Sequence, residues 1–193
     1  MQAQAIIEAA RHVGSDADSF AKASQLQALY EGLSDIQPRM ASIAANTAAI
    51  ADFLQAQMQQ RGLEFTCYQM TPEQIEAGLA SGILSFYLPP APTREGQDLV
   101  DEFVDFMLAA LPDQVRNRVS YGQSSGQALD YVYIINPQES TQGSLSDAVK
   151  EAQKKNNVQI CRISVPEKMD LPAFEQALSD FCNLKYGALA SKA

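Results

Sequence analysis

Tryptophan is absent from this 193-residue sequence, and histidine occurs once, at His12. A single histidine excludes the paired Glu-x-x-His ligands of a di-iron bundle, and it leaves the serines without a nearby base. Cysteine occurs three times, at Cys67, Cys161 and Cys182, each within an apolar run. This odd and scattered set fits free thiols in a reducing compartment better than a disulfide framework. We therefore expect no metal site, no cofactor and no catalytic residue.

Long apolar runs and a secretory leader are also missing. No apolar stretch approaches the roughly 18 residues that cross a bilayer. The first twelve residues, MQAQAIIEAARH, do not combine a basic segment with a following apolar one. We expect a protein without membrane contact, which works in the cytoplasm or is assembled there into a particle.

Basic residues are scarce in one stretch of the chain. The formal net charge is −9, and residues 63–113 hold one basic residue, Arg94, against nine acidic ones, a local balance of −8. A field of this sign disfavours direct contact with nucleic acid and favours a partner with a basic surface. The other interpretation is a solvated acidic face that only keeps the protein in solution.

What is present is the composition of a globular protein, with 46% hydrophobic and 19% charged residues. Residues 1–62 carry helical patterns throughout, whereas five strand-like segments alternate with helices after residue 62. The predicted strands cover residues 63–70, 83–88, 115–121, 128–136 and 158–165. We predict an α/β (or α+β) fold, in which a helical module over 1–62 precedes an α/β domain over 63–193. That domain contains a mixed sheet of about five strands with packed helices.

The strongest periodic pattern is a heptad repeat in a helix predicted over residues 36–61. Its seam positions alternate four and three residues apart: Ile36, Met40, Ile43, Thr47, Ile50 and Leu54. Such a seam is typical of a helix that buries one narrow stripe against other helices. Its partner is either the preceding predicted helix, 19–32, folded back across a short turn, or a second copy of the chain. Helix 36–61 is therefore also a candidate for a homo-oligomer contact.

One segment of this helix carries a resemblance. The alanine-rich stretch IAANTAAIADFLQ, residues 43–55, resembles helical segments of phage tail and baseplate proteins. The resemblance extends over about a dozen residues. It implies a component of a phage or bacterial assembly.

Four carboxylates form the most distinctive polar group. Asp98, Asp101, Glu102 and Asp105 fall at i, i+3, i+4 and i+7 of a helix predicted over residues 94–111, so they share one face. The only basic residue of that helix is Arg94, at its first position, so the mutual repulsion of the carboxylates is largely unrelieved within it. Three interpretations follow: a solvated face, a docking surface for a basic partner, or a Mg²⁺ site.

A second polar candidate is the segment GQSSGQ, residues 122–127, between two predicted strands. It lacks the Lys-Ser/Thr pair and the following helix of a phosphate-binding loop, so we predict a hairpin tip. Polar tips of this kind often make contacts with other molecules. Gln123, Ser124 and Ser125 are therefore candidate partner-binding residues.

Taken together, these patterns favour a non-catalytic protein–protein interaction or assembly protein with an acidic docking surface, acting as a structural component, an inhibitor or an adaptor. The alternative is an α/β enzyme or small-ligand-binding domain that uses the carboxylates of residues 98–105 or the loop 122–127.

Overall fold

The computed structural model describes residues 8, 22–92, 96–117, 129–135, 146–156 and 158–190. The chain divides into two compact units, residues 1–38 and 39–193. The boundary between these units lies within a predicted helix, 36–61. The domain boundary expected after residue 62 remains a prediction.

Six helices lie in the described part of the chain. They are α1 (Ala23–Ser34), α2 (Ile36–Gln59), α3 (Pro72–Glu76), α4 (Gly96–Ala110), α5 (Asp147–Asn156) and α6 (Leu171–Ala190). Within the helical module predicted over residues 1–62, residues 1–7 and 9–21 lie outside the described residues.

A sheet of five strands forms the centre of the second unit. The strands are β1 (Thr66–Tyr68), β2 (Ile83–Tyr87), β3 (Val115–Arg116), β4 (Val132–Ile135) and β5 (Ile160–Ser164). Their order across the sheet is β1-β2-β5-β4-β3. Only the β3–β4 pair is parallel, and the other three pairs are antiparallel. The predicted fold class, an α/β or α+β fold with a mixed five-stranded sheet, is confirmed.

The main core lies on one face of this sheet. Leu84 of β2, Ile163 of β5 and Ile134 of β4 pair across three neighbouring strands and belong to one buried apolar cluster. Since side chains alternate between the two faces of a strand, this face is the apolar one. Helices α2, α4 and α6 supply most of the other side chains in the same cluster.

The opposite face of the sheet is more polar, and helix α5 contacts it. The Nε2 of Gln153, on α5, donates a hydrogen bond of 3.1 Å to the hydroxyl of Tyr87, which alternates with the core residue Phe86 along β2. This hydrogen bond therefore joins α5 to the face of the sheet opposite the core.

Local signals in the sequence end and begin several elements where expected. Gly62, which directly follows the predicted heptad helix 36–61, has a φ of 65°, and the next residue, Leu63, donates its N–H to the Met58 carbonyl at 3.0 Å. Such a return bond after a left-handed residue is a common helix end. Asp170 begins α6, since its Oδ1 accepts a hydrogen bond from the Ala173 N–H at 3.0 Å.

Gly82 lies just before β2 and is packed tightly from two sides. A Cβ at this position would lie 2.7 Å from Ile43 Cγ2 and 2.7 Å from the carbonyl oxygen of Val165. Val165 also donates its N–H to the Gly82 carbonyl at 2.7 Å. The close approach of helix α2, β2 and the end of β5 therefore depends on the missing side chain.

We expect Gly82→Ala to lower the free energy of unfolding by about 1–3 kcal/mol, because one of the two clashes is with a backbone carbonyl that cannot rotate away. Denaturant unfolding measures the change. Gly187→Ala is the matched control, since a Cβ at Gly187 would meet nothing within 4 Å. Equal stability of the two variants would contradict this account of the packing.

Candidate functional site

The four predicted carboxylates, Asp98, Asp101, Glu102 and Asp105, which we call the acidic stripe, lie on helix α4. The opposite side of this helix packs into the core. Leu99, Phe103 and Met107 are fully buried there, so the helix presents its opposite side outward. Asp101 and Asp105 are exposed, one helical turn apart on that outer side. Asp98 is on the same helix, but its side chain lies outside the described residues.

Glu102 differs from its neighbours in the stripe. Its carboxylate forms an ion pair with the Nζ of Lys185 on α6, and the two side chains are only 26% and 20% exposed. The sequence offered no counter-ion within helix α4 itself, and the partner comes instead from a residue 83 positions away. One carboxylate of the stripe thus holds α4 against α6, whereas Asp101 and Asp105 face outward.

The structure tests only part of the loop candidate. Gln123, Ser124 and Ser125 lie outside the described residues, so their role as contact residues remains a prediction. The predicted hairpin is wrong, because the strands on either side of the loop, β3 and β4, pair in parallel, whereas a hairpin joins two antiparallel strands.

The heptad seam is divided into two parts by burial. Thr47, Ile50 and Leu54 are buried, and Ile50 and Leu54 belong to the same apolar cluster as the sheet. Met40 and Ile43 are half-buried, and Ile36 is 41% exposed. The carboxyl-terminal half of the seam is therefore occupied by the core of its own chain.

Asn46 and Thr47, two adjacent polar residues of helix α2, form hydrogen bonds within the chain. The Nδ2 of Asn46 donates to the carbonyl oxygens of Pro166 and Glu167 at 3.1 and 3.0 Å. The Thr47 hydroxyl donates to the Ile43 carbonyl at 2.7 Å, one turn earlier. Asn46 thus ties helix α2 to the segment that follows β5.

Helix α1 carries an apolar face that the structure leaves exposed. None of its residues is buried. Four large apolar side chains lie at i, i+3, i+4 and i+7, with exposures of 54%, 58%, 72% and 56%: Leu26, Leu29, Tyr30 and Leu33. The sequence interpretation used this helix only as a fold-back partner for the heptad helix. The signal that it missed is the heptad spacing itself, which continues backward from Ile36 through Leu33, Leu29 and Leu26.

A groove of about 500 Å³ runs between helix α5 and one edge of the sheet. The polar side chains that line it are those of Thr66, Tyr87, Gln153 and Asn156, and Ala148, Ala152 and Val158 supply part of its apolar lining. None of the candidate residues from the sequence lines this groove. It is a concave, mostly apolar surface on the side of the sheet opposite the main core.

The three cysteines are free, as the sequence predicted. Burial, reinforced by the Asp52 carboxylate, raises the pKa of Cys67 to about 11. Burial also raises the pKa of Cys182 to about 11, although the Arg61 charge acts in the opposite direction. Burial alone raises the pKa of Cys161 well above its ordinary value. All three thiols stay protonated near neutral pH, and a protonated thiol is a poor nucleophile and a poor metal ligand.

No group of three or more histidine, cysteine, aspartate or glutamate side chains among the described residues is placed to hold a metal ion. No helix in the described ranges has the length and apolar character required to span a membrane.

Comparisons with known proteins found a distant structural similarity. No family model matches the chain, and no curated protein matches it. A solved structure of cystathionine gamma synthase from Xanthomonas oryzae pv. oryzae, in complex with aminoacrylate and cysteine, is similar with a TM-score of 0.48 and 17% sequence identity. The similarity covers 84% of this chain and 37% of that chain. A likeness of this size carries no argument about function.

Proposed function

We propose that the protein is a non-catalytic protein–protein interaction or assembly component that binds its partner through helix α1. The observation that carries this proposal is the exposed apolar face of α1, where Leu26, Leu29, Tyr30 and Leu33 are each more than half exposed. These four side chains share one side of one helix, so they form a continuous apolar stripe. Contiguous apolar stripes on a protein surface mark interaction sites.

The energetics of this stripe favour burial in a complex. Removing apolar surface from water contributes about 25 cal/mol per Å², so each of these side chains adds a favourable increment when a partner covers it. The core of the second unit does not depend on them, since its apolar cluster is formed by residues from position 50 onward. The stripe is therefore available for binding at no cost to that core.

Helix α4 supplies a second proposed surface. Asp101 and Asp105 are exposed on its outer side, within the stretch of the chain that carries most of the negative charge. We propose that this surface docks a partner with a basic face, and the three free cysteines support a role in the cytoplasm or in a particle assembled there. A phage or bacterial assembly is part of the same proposal.

One observation favours the alternative of a small-ligand-binding domain. The groove beside α5 has the size of a ligand pocket, and the Tyr87 hydroxyl and the Gln153 amide lie in it. It uses neither the carboxylates of residues 98–105 nor the loop 122–127, which the sequence suggested for this role. A ligand-binding function would therefore lie at a different place on the sheet.

The test of the interaction proposal is the native mass of the complex in an extract of the cell that makes the protein. We expect the wild-type chain to elute well above the 21.0 kDa of one chain. Leu29→Glu combined with Leu33→Glu should elute as the single chain, because two charges in the stripe prevent its burial.

The matched control is Leu79→Glu combined with Leu184→Glu, which places the same charges at leucines that are 56% and 64% exposed elsewhere. This control should elute like the wild type. A wild-type chain that elutes as a monomer, or a complex that survives the α1 substitutions, would overturn the proposed role of α1.

A further inference from the structure

The heptad register of this chain is longer than the helix in which it is most obvious. Nine positions alternate three and four residues apart across both α1 and α2, and Asp35 between the two helices does not interrupt the count. The nine positions are Leu26, Leu29, Leu33, Ile36, Met40, Ile43, Thr47, Ile50 and Leu54. Such a sustained register is the pattern of helices that pair along a narrow seam.

Burial separates this register into two halves with different roles. Thr47, Ile50 and Leu54 are 4%, 0% and 1% exposed, so the core already surrounds them. The first four positions remain 54%, 58%, 56% and 41% exposed, and we call them the exposed seam: Leu26, Leu29, Leu33 and Ile36. A side chain enclosed by its own core cannot enter a second helix pair, and Met40 and Ile43 are half-buried, so we centre an intermolecular contact along this register on the exposed seam.

Charge decides which occupant the exposed seam fits. Residues 22–40 contain two basic and two acidic side chains, and their net charge is therefore zero, within a chain of net charge −9. In the heptad register the positions that flank the seam are Gln25, Tyr30, Gly32, Gln37 and Arg39, of which only Arg39 is charged. In helix pairs, like charges at the flanking positions are what disfavour self-association.

A second copy of the chain therefore meets no like-charge opposition along the exposed seam, whereas a strongly charged partner gains no attraction there. The same register on both sides also makes the contact self-complementary, as in a two-fold symmetric interface. Resting on the proposed role of α1 in binding, we propose that its partner is a second copy of this chain, paired through Leu26, Leu29, Leu33 and Ile36.

The short length of α1 sets the expected strength of this contact. Its 12 residues rise about 18 Å at 1.5 Å per residue. Helices of this length are marginal by themselves and gain stability from packing their apolar face. The dimer should therefore dissociate on dilution.

The experiment is sedimentation of the purified full-length chain over a hundredfold range of protein concentration. The mass is expected to rise toward twice 21.0 kDa as the concentration increases. Leu29→Glu with Leu33→Glu should stay at the mass of one chain throughout, and Leu79→Glu with Leu184→Glu should dimerise like the wild type. Because α1 lies outside the core cluster, thermal unfolding of the second unit should be the same in all three proteins.

Energy transfer between donor-labelled and acceptor-labelled copies provides a direct measure of copy-to-copy contact, and it should fall on dilution and in the α1 variant. A purified chain that is monomeric at every concentration would overturn the second-copy inference. If an α1-dependent complex still formed in the extract, the proposed function would stand and the occupant would be another protein. If neither the purified chain nor the extract gave an α1-dependent complex, both the second-copy inference and the proposed role of α1 would be overturned. A dimer unaffected by the α1 substitutions would overturn the second-copy contact through α1.

Discussion

Replacing Ile50 with alanine is expected to lower the free energy of unfolding by about 2–4 kcal/mol, the usual range for deleting a large buried aliphatic side chain. Ile50 is 0% exposed and belongs to the cluster that joins helix α2 to the sheet and to helices α4 and α6. The substitution leaves a cavity between elements that are fixed by other contacts, so the surroundings cannot collapse fully to fill it. Denaturant or thermal unfolding, followed by circular dichroism, measures the effect.

Ile75→Ala is the matched control for this experiment, because it makes the same chemical change at a side chain that is 57% exposed. Its effect should be a small fraction of that of Ile50→Ala. The solution mass of Ile50→Ala should equal that of the wild type at the same concentration, since this half of the heptad seam packs within its own chain. An unchanged melting temperature would show that Ile50 is not a core residue.

Reversing the charge of the exposed pair on helix α4 is expected to have the largest effect on recognition of a basic partner. Asp101→Lys with Asp105→Lys should slow association by about tenfold or more at low salt, because complementary charge accelerates encounter between proteins. The wild-type rate should fall as ionic strength rises, since salt screens exposed charges. Association of the partner recovered with the wild-type chain, measured at two salt concentrations, provides both values.

Glu102 is left unchanged in this variant because its pairing with Lys185 belongs to the fold. Asp147→Lys with Glu151→Lys is the matched control, since these two exposed carboxylates also lie one turn apart, on helix α5. The control has the same net charge as the test variant and should bind like the wild type. If salt did not change the association rate, or if both variants slowed it equally, the proposed docking surface would be wrong and the carboxylates of α4 would form only a solvated face.

The secondary structure of this protein could be predicted largely from local signals. The order of strands and helices after residue 62 follows from alternating and helical periods together with caps such as Thr71 and Asp170. The sequence also indicated the outward side of α4, because Asp101 and Asp105 lie one turn apart on the same face of the predicted helix. These features depend on residues close together in the chain, so a single sequence contains the information.

The partners of two candidate surfaces could not be predicted in the same way. The Glu102–Lys185 ion pair joins residues 83 positions apart, and no local sequence pattern predicts it. The packing partner of the heptad seam could not be predicted for the same reason. A spacing of three and four residues specifies which side of a helix is buried but not what buries it.

By itself, the sequence determined the order of the elements, the end of a helix at Gly62 and the start of another at Asp170. It also determined the acidic side of α4 and the register of the apolar seam. Each of these is a property of neighbouring residues and of backbone propensity. Only the tertiary structure decided that the seam is enclosed at Thr47, Ile50 and Leu54 and exposed from Leu26 to Ile36. Burial depends on which surfaces of distant segments meet, and the sheet, with helices α4 and α6, packs around Ile50 and Leu54.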